Sequence, residues 1–266
     1  VEGTIYGLNY NDYYYTNVTL NGNLRDKIFN GYINTKDDHL DLNFQGLVDF
    51  SEAENNYNFN AEVNHANLKA LNFVKNDTIS LFKGRVAMNM KGTTLDNAYG
   101  TIDFQNTLYT NEYDAYYFKD FSIASNFNNN ERTLSVNSPE IIEGTMKGDF
   151  KLNEVAKLVE NSLGNLYTNY RPYAIANDQY IAFNFKVYNK IAEVFYPGLH
   201  IGRNTFFKGS IGSNAKAFNL VFKSPEISID EHHATKIELR LDNNNVLYNT
   251  YFQIETYLYA YKKSKG

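Results

Sequence analysis

The residues that could bind a metal lie in two short clusters. The segment 37–41 (DDHLD) combines carboxylate and imidazole groups, which are ligands for divalent cations. Its first two residues fall between strand-like runs and Asp41 alternates onto a polar strand face, so a solvated turn is the favoured interpretation. His232 and His233 are adjacent, and no third ligand stands at a recognisable spacing from them. The sequence therefore predicts no metal site.

Residue types that could carry out catalysis form no recognisable motif. The sequence contains no nucleophile elbow, no phosphate-binding loop and no dinucleotide-binding fingerprint. It contains no cysteine, which excludes a thiol nucleophile, a disulfide framework and Cys-ligated zinc. We therefore predict a protein that is not an enzyme, with no catalytic residues and no cofactor.

Charge and hydropathy exclude two further classes. The chain has 25 Lys and Arg against 30 Asp and Glu, a net charge of −5, and its basic residues cluster only at 262–265. Nucleic acid is therefore not an expected partner, since it is bound through clustered cations. No run approaches the length of about 18 apolar residues that a membrane-crossing helix needs.

The dominant pattern is the alternation of large apolar and polar residues, which is typical of half-buried strands. The chain contains 23 Tyr and 19 Phe, and its longest alternating run is Leu40–Phe50. Similar runs recur along the whole chain and predict about 18 to 20 strands. One parity of these runs gives a single apolar face, whose predicted members are Phe44, Val48, Phe50, Ile102, Phe104, Phe121, Ile123, Phe183, Phe185, Phe207, Ile211, Leu220, Phe222, Ile237 and Leu239.

One long segment is helical in pattern, at about 154–166. Apolar residues at spacings of three and four give it one apolar stripe, and a lone amphipathic helix must lay that stripe on an apolar surface. We expect Asn153 to be its N-cap and Gly164 to end it. The stripe consists of Val155, Leu158, Val159, Leu163 and Leu166.

The sequence contains one short repeated motif and no recognisable interdomain linker. Ser-Pro-Glu-Ile occurs at 138–141 and again at 224–227, each time between alternating runs, which favours a structural repeat with a bend or edge at each proline. We therefore predict that residues 1–266 form a single extended segment, internal to a longer chain.

Two arrangements could receive the apolar face. In a β-sandwich a facing sheet covers it, and the apolar residues are core. In an open, curled sheet the same face lines a groove. Alternation alone fits both, but so many strands without a domain boundary favour a sheet that curls.

Several segments resemble the TamB (translocation and assembly module) family of the AsmA-like superfamily, in the form found in Bacteroidota. The resemblance covers essentially the whole chain and depends on the order and density of its motifs. These are found at 10–33, 65–72 (HANLKALN), 95–109 (LDNAYGTIDFQNTLY), 137–152, 161–172 (NSLGNLYTNYRP), 179–190, 195–209 (FYPGLHIGRNTFFKG) and 241–251.

This resemblance implies an all-β fold, an elongated and curled antiparallel sheet called a β-taco, with one amphipathic helix inserted. It implies a periplasm-spanning protein, anchored in the inner membrane through a segment absent from this sequence. Its partners would be phospholipid and an Omp85-family outer-membrane protein, similar to TamA or BamA. The apolar residues given above would then line a lipid groove, and the helix would act as a plug, brace or gate in it. The implied role is phospholipid transport to the outer membrane or protein assembly in it.

Two other classes remain open at this stage. Tyrosine-rich strands of alternating polarity are also typical of an outer-membrane β-barrel. A compact β-sandwich could instead bind sugar or protein through Tyr113, Tyr116 and Tyr117, which we expect to be exposed.

Overall fold

The structure, a computed structural model, describes residues 1–75, 77–164, 169–196, 198–213, 218–243 and 249–259. It divides into two units, Val1–Ala124 and Ser125–Gly266. Among the described residues, no helix is long and apolar enough to cross a membrane.

Unit 1 consists of strands and their turns. Its strands are β1 (Glu2–Ile5), β2 (Leu8–Tyr10), β3 (Tyr13–Tyr15), β4 (Val18–Arg25), β5 (Ile28–Asp37), β6 (Leu40–Asp49), β7 (Asn56–Asn67), β8 (Ser80–Lys91), β9 (Tyr99–Asn111) and β10 (Ala115–Asn128), the last of which runs past the unit boundary.

Unit 2 contains the helices. A 3-10 turn (Leu152–Glu154) leads into α1 (Val155–Gly164), and α2 spans Asn189–Phe195. Its strands are β11 (Glu131–Ser138), β12 (Ile142–Asp149), β13 (Tyr180–Val187), β14 (Leu199–Ile201), β15 (Thr205–Gly212), β16 (Asn219–Ile229), β17 (His232–Asp242), β18 (Asn249–Gln253) and β19 (Thr256–Tyr259).

Antiparallel pairing of successive strands builds both units. In unit 1, β1 pairs with β4, and β4 to β9 then pair in chain order. In unit 2, β11, β12, β13, β15, β16 and β17 pair in that order. β14 pairs with the second half of β16, and β18 and β19 share β17. Seventeen strands belong to one sheet, and β2 and β3 form a separate hairpin.

This architecture confirms the predicted all-β class, the antiparallel sheet and the inserted helix. The sheet is not closed into a barrel, which contradicts the barrel alternative. The described strands form one 17-stranded sheet and a hairpin. The β-sandwich alternative remains a prediction. The prediction that the chain acts as a single segment remains a prediction.

Strand register separates an apolar from a polar face in each unit, because directly opposed residues point to the same side of a sheet. In unit 1, one row of successive cross-strand partners is Leu20, Ile33, Phe44, Ala61, Val86 and Phe104. In unit 2, the corresponding row is Gly144, Phe185, Phe207, Phe222, Leu239 and Phe252.

Glycines opposite phenylalanines are common to both apolar faces. Gly46, at φ 150°, is the partner of Phe59, and Gly144, at φ 155°, is the partner of Phe185. A Cβ on Gly46 would lie 2.4 Å from the Cα of Phe59, and one on Gly144 would lie 2.7 Å from the Cα of Phe185. Only glycine fits this close backbone approach. At Gly144 the ring of Phe185 also occupies the space of the missing side chain, since its Cδ1 would lie 2.6 Å from the added Cβ.

Two details of the sequence prediction are wrong. Asn153 is not an N-cap, since it lies inside the 3-10 turn, and the extended residue before that turn is Lys151. The two Ser-Pro-Glu-Ile segments are not equivalent. The first begins at the last residue of β11, whereas the second lies inside β16.

Pro225 is tolerated in the middle of β16 because of how this strand is paired. β15 pairs with residues up to Lys223, and β14 pairs from Ile227 onward. Pro225 therefore lies in the gap between β15 and β14. Because neither strand pairs with it, no backbone hydrogen bond on that side of β16 needs the N–H that proline lacks.

Candidate functional site: a partly accessible apolar face in each unit

The predicted lining residues lie on the apolar faces. Phe44, Val48, Ile102 and Phe104 belong to adjacent cross-strand rows of unit 1. Phe121 extends them, with its ring centroid 5.8 Å from that of Phe104. Phe50 follows β6 on the same parity, and Ile123 follows Phe121. In unit 2, register places Phe183, Phe185, Phe207, Ile211, Leu220, Phe222, Ile237 and Leu239 on one face.

Most of these side chains are half-buried. Of the fifteen, only Phe185, Ile211 and Ile237 are buried, and only Phe50, at 47 %, is classed as exposed. The remaining eleven are half-buried. Large apolar side chains under a second protein layer are normally buried almost completely. Each unit therefore keeps a partly accessible apolar surface.

Aromatic rings contact one another across this surface in both units. In unit 1, the ring centroid of Phe44 lies 4.8 Å from that of Phe59 and 6.3 Å from that of Phe29. In unit 2, the ring of Phe207 lies 5.8 Å from Phe183 and 5.4 Å from Phe185. Contacts of this kind hold each ring in place, so the surface keeps its shape without a covering layer.

Sequence reasoning left out several members of the unit 1 face. Their alternation was visible in the segments 28–33 (IFNGYI), 57–63 (YNFNAEV) and 86–90 (VAMNM). The omitted residues are Phe29, Ile33, Tyr57, Phe59, Val86, Met88 and Met90.

Helix α1 covers part of the unit 2 face. Leu158 is 0 % exposed and belongs to one core cluster with Ile181 and Ile211. Val155 and Leu163 pack against the same cluster, as the apolar stripe predicts. Val159 is 38 % exposed and lies outside it, and Leu166 falls outside the described residues.

Polar contacts fix α1 in this position. Glu154 accepts a hydrogen bond from the Ala176 backbone N–H at 2.8 Å and from Gln179 Nε2 at 2.7 Å. The Ala176 N–H bond is the main reason that the pKa of Glu154 lies below its usual value. Near the other end, Asn161 Oδ1 accepts from the Tyr173 backbone N–H at 2.7 Å. Both ends of the helix are therefore bonded to the segment that follows it.

In unit 1 a hairpin and a loop take the place of a helix. Tyr15 from β3 and Leu71 from the loop after β7 are buried in one cluster with Val18 and Ala66. The cluster covers only one end of the apolar face. At the other end, Leu24 is 57 % exposed.

A carboxylate bonds this hairpin to the sheet. Asp37 accepts hydrogen bonds from the Tyr13 hydroxyl, from the Thr16 backbone N–H at 2.9 Å and from the His39 backbone N–H at 3.0 Å. Partial burial would raise the pKa of Asp37, but the hydrogen bonds outweigh it and lower the pKa to about 2. Burial and the bond to Asp37 together raise the pKa of Tyr13 to about 12.

The possible metal ligands and the three tyrosines named in the sequence analysis do not form a binding site. Asp37 is occupied by the contacts just described, and the described residues contain no group of three or more potential ligands placed to hold a metal. His232 stacks on Tyr257 and His233 lies 3.6 Å from Glu226. Tyr113 and Tyr117 are exposed as expected, whereas Tyr116 is only 8 % exposed, so the predicted patch of three tyrosines is wrong at that residue.

Arg132 is a buried charge that sequence reasoning missed. It is 2 % exposed and stands opposite Gly148 on the apolar face of unit 2. Its Nε donates to Ser125 Oγ at 2.9 Å, and its guanidinium lies 5.3 Å from the centroid of the Phe127 ring. This cation is therefore covered by its own neighbours.

Comparison with known proteins leaves the family unassigned. No family model, no curated protein and no solved structure matches this chain. The resemblance to the TamB family therefore remains a prediction.

Proposed function

We propose that this chain is a lipid-binding part of a periplasmic bridge protein that carries phospholipid by its acyl chains toward the outer membrane. The observation that supports it is the half-buried state of the phenylalanine rows, because such rows offer apolar contact to a ligand without unfolding. The periplasmic location, the inner-membrane anchor and an Omp85-family partner belong to the same proposal and follow the resemblance to the TamB family.

The energetics favour a sheet face over a catalytic site for this task. An acyl chain of about 16 carbons costs about 13 kcal/mol to expose to water. An apolar face removes most of that cost by contact alone, and no bond has to be made or broken. In this proposal α1 acts as a fixed cap, held by Glu154 and Asn161, and not as a mobile gate.

The test is native mass spectrometry of protein purified without detergent, followed by titration with a fluorescent phospholipid. We expect co-purified phospholipid, and at least a tenfold weaker affinity, or about 1.4 kcal/mol, in Phe104→Asp and in Phe222→Asp. Both residues are half-buried, so the variants should stay folded. Phe185 is less suitable, since it is 9 % exposed and a carboxylate there would destabilise the core.

Matched controls place the same charge on the opposite face. Thr101→Asp lies on β9 with Phe104, and Asn219→Asp lies on β16 with Phe222. Both residues are exposed and point to the polar side. The proposal is wrong if no lipid binds, or if these controls lose as much affinity as the phenylalanine variants.

A further inference from the structure

The polar face of unit 1 is built largely from uncharged hydrogen-bonding side chains. One cross-strand row runs Asn21, Tyr32, Gln45, Asn60, Ala87 and Asp103, and the next runs Thr19, Asn34, Asn43, Glu62, Arg85 and Gln105. Amide groups, each with donor and acceptor atoms, therefore recur on adjacent strands.

Three depressions follow these rows across the strands. The first, of about 360 Å³, includes Glu2 and Tyr32 in its lining, and the second, of about 370 Å³, extends from Tyr32 to Arg85. The third, of about 190 Å³, shares Glu62, Arg85 and Gln105 with the second. Because neighbouring depressions share residues, they form one line, which we name the amide trough.

The amide trough crosses seven strands, from β1 to β9 without the β2–β3 hairpin. With strands about 4.8 Å apart, it is about 29 Å long. Each of its two larger parts lies within the range of about 300–1,000 Å³ that is typical of ligand sites. Its dimensions suit a chain of several small rings, with about one strand spacing for each ring.

Its side chains offer a ring face and many hydrogen-bonding groups. Tyr32 is 56 % exposed, and its hydroxyl accepts a hydrogen bond from Gln45 Nε2 at 2.9 Å. Arg85 donates to Glu62 at 3.2 Å, which neutralises both charges. Within the described part of the chain, the exposed amides of Asn60 and Gln105 hydrogen-bond to no protein group, so their donors and acceptors face solvent.

The polar face of unit 2 differs from that of unit 1 in its charged residues. There, charged pairs stand across the strands, with Lys147 2.6 Å from Glu131 and Lys223 2.9 Å from Glu238. Unit 1 also has one such cross-strand pair in these rows, Arg85 with Glu62, but most residues of its two rows are uncharged.

We propose that the amide trough binds a neutral oligosaccharide. Its lining contains two acidic and two basic side chains, Glu2, Glu62, Lys83 and Arg85, so it carries no net charge to attract a charged polymer. Nucleic acid would require clustered cations. A sugar chain presents vicinal hydroxyls that pair with amides and with the Arg85–Glu62 pair, and its apolar C–H faces stack on a ring such as Tyr32.

The test is calorimetric titration of the whole chain with cellohexaose, maltohexaose and laminarihexaose. We expect at least one of them to bind. For that sugar, Tyr32→Ala should weaken binding about tenfold through the lost stacking surface. Asn60→Ala and Gln105→Ala should each weaken it about two- to tenfold through lost hydrogen bonds.

The matched control is Tyr251→Ala, which removes a half-exposed tyrosine from the polar face of unit 2 and should leave affinity unchanged. Thermal unfolding of each variant separates lost binding from lost structure. The proposal is overturned if none of the three sugars binds at about 10 mM. Equal losses in Tyr251→Ala and Tyr32→Ala would also overturn it. Neither result bears on lipid binding, which uses the opposite face.

Discussion

The apolar faces of the two units are built alike and covered differently. Both alternate large apolar residues with polar ones, and both place a glycine of positive φ opposite a phenylalanine. Unit 1 covers one end of its face with a hairpin and a loop, whereas unit 2 lays a helix on its face. In each unit a carboxylate accepts hydrogen bonds that hold part of the cover in place, Asp37 in unit 1 and Glu154 in unit 2.

Alternation therefore decides which residues share a face, but it does not decide which of them become core. Phe104 and Ile211 obey the same pattern, yet Ile211 is 4 % exposed and Phe104 remains half-buried. Burial depends on whether a separate segment lies above the residue. The accessible rows are therefore those that the covers do not reach.

The largest loss of stability should come from the contact between α1 and the strands that it covers. Leu158→Ala removes a side chain that is 0 % exposed and should lower the free energy of unfolding by about 2–5 kcal/mol. Phe104→Ala should cost less, although phenylalanine is larger, because its site is already partly hydrated. Urea unfolding measures both. Val159→Ala, at 38 % exposure on the same helix, is the control and should cost under about 1 kcal/mol.

An equal loss of unfolding free energy in Leu158→Ala and Phe104→Ala would contradict this difference between the two units. It would mean that the unit 1 row is as well covered as the row under α1.

An intermediate effect should come from the feature that the two faces share. Gly46→Ala and Gly144→Ala force a Cβ against the facing backbone at positive φ, and each should destabilise the protein by about 1–3 kcal/mol. Gly3→Ala is the control, since a Cβ there meets nothing within 4 Å. Denaturant unfolding that gave all three variants the same stability would show that these glycines are not required by the close approach.

A smaller, pH-dependent effect should come from the cover of unit 1. The pKa of Asp37 is lowered to about 2 from the ordinary value of 3.8. A carboxylate whose pKa is lowered on folding stabilises the protein above its unfolded-state pKa, and this stabilisation is lost as pH falls from about 4 to about 2. Asp37→Asn should therefore cost about 1–2 kcal/mol at pH 7, after allowance for solvent screening.

The same variant should cost less and less below pH 4, and thermal unfolding measured from pH 2 to pH 7 gives that profile. A penalty that stayed constant over the whole range would show that the Asp37 charge does not hold the hairpin. Thr19→Ala, an exposed residue of β4, provides a reference whose small effect should not change with pH.

The proposed lipid binding depends on the accessible rows of Phe104 and Phe222, and the proposed sugar binding depends on the amide trough around Tyr32. Because the two surfaces lie on opposite faces, each can be tested without damaging the other.

Local sequence patterns were enough to predict the strands, the alternation of their side chains and the helix α1. These follow from local geometry, since a period of two alternates side chains across a sheet and a period of 3.6 collects them on one side of a helix. The same local pattern failed at Asn153 and at the second Ser-Pro-Glu-Ile segment, where capping and pairing depend on distant residues.

Which apolar residues are covered, and which polar side chains contact each other, became visible only in the folded chain. Leu71, from the loop after β7, packs in one cluster with Tyr15 of β3, and Arg85 of β8 bonds to Glu62 on the neighbouring strand β7. Such contacts depend on register and on the path of connecting segments, and single-chain alternation is the same in every register that differs by two residues. For that reason the sequence could place Phe104 and Ile211 on apolar faces but could not tell that one is accessible and the other is core.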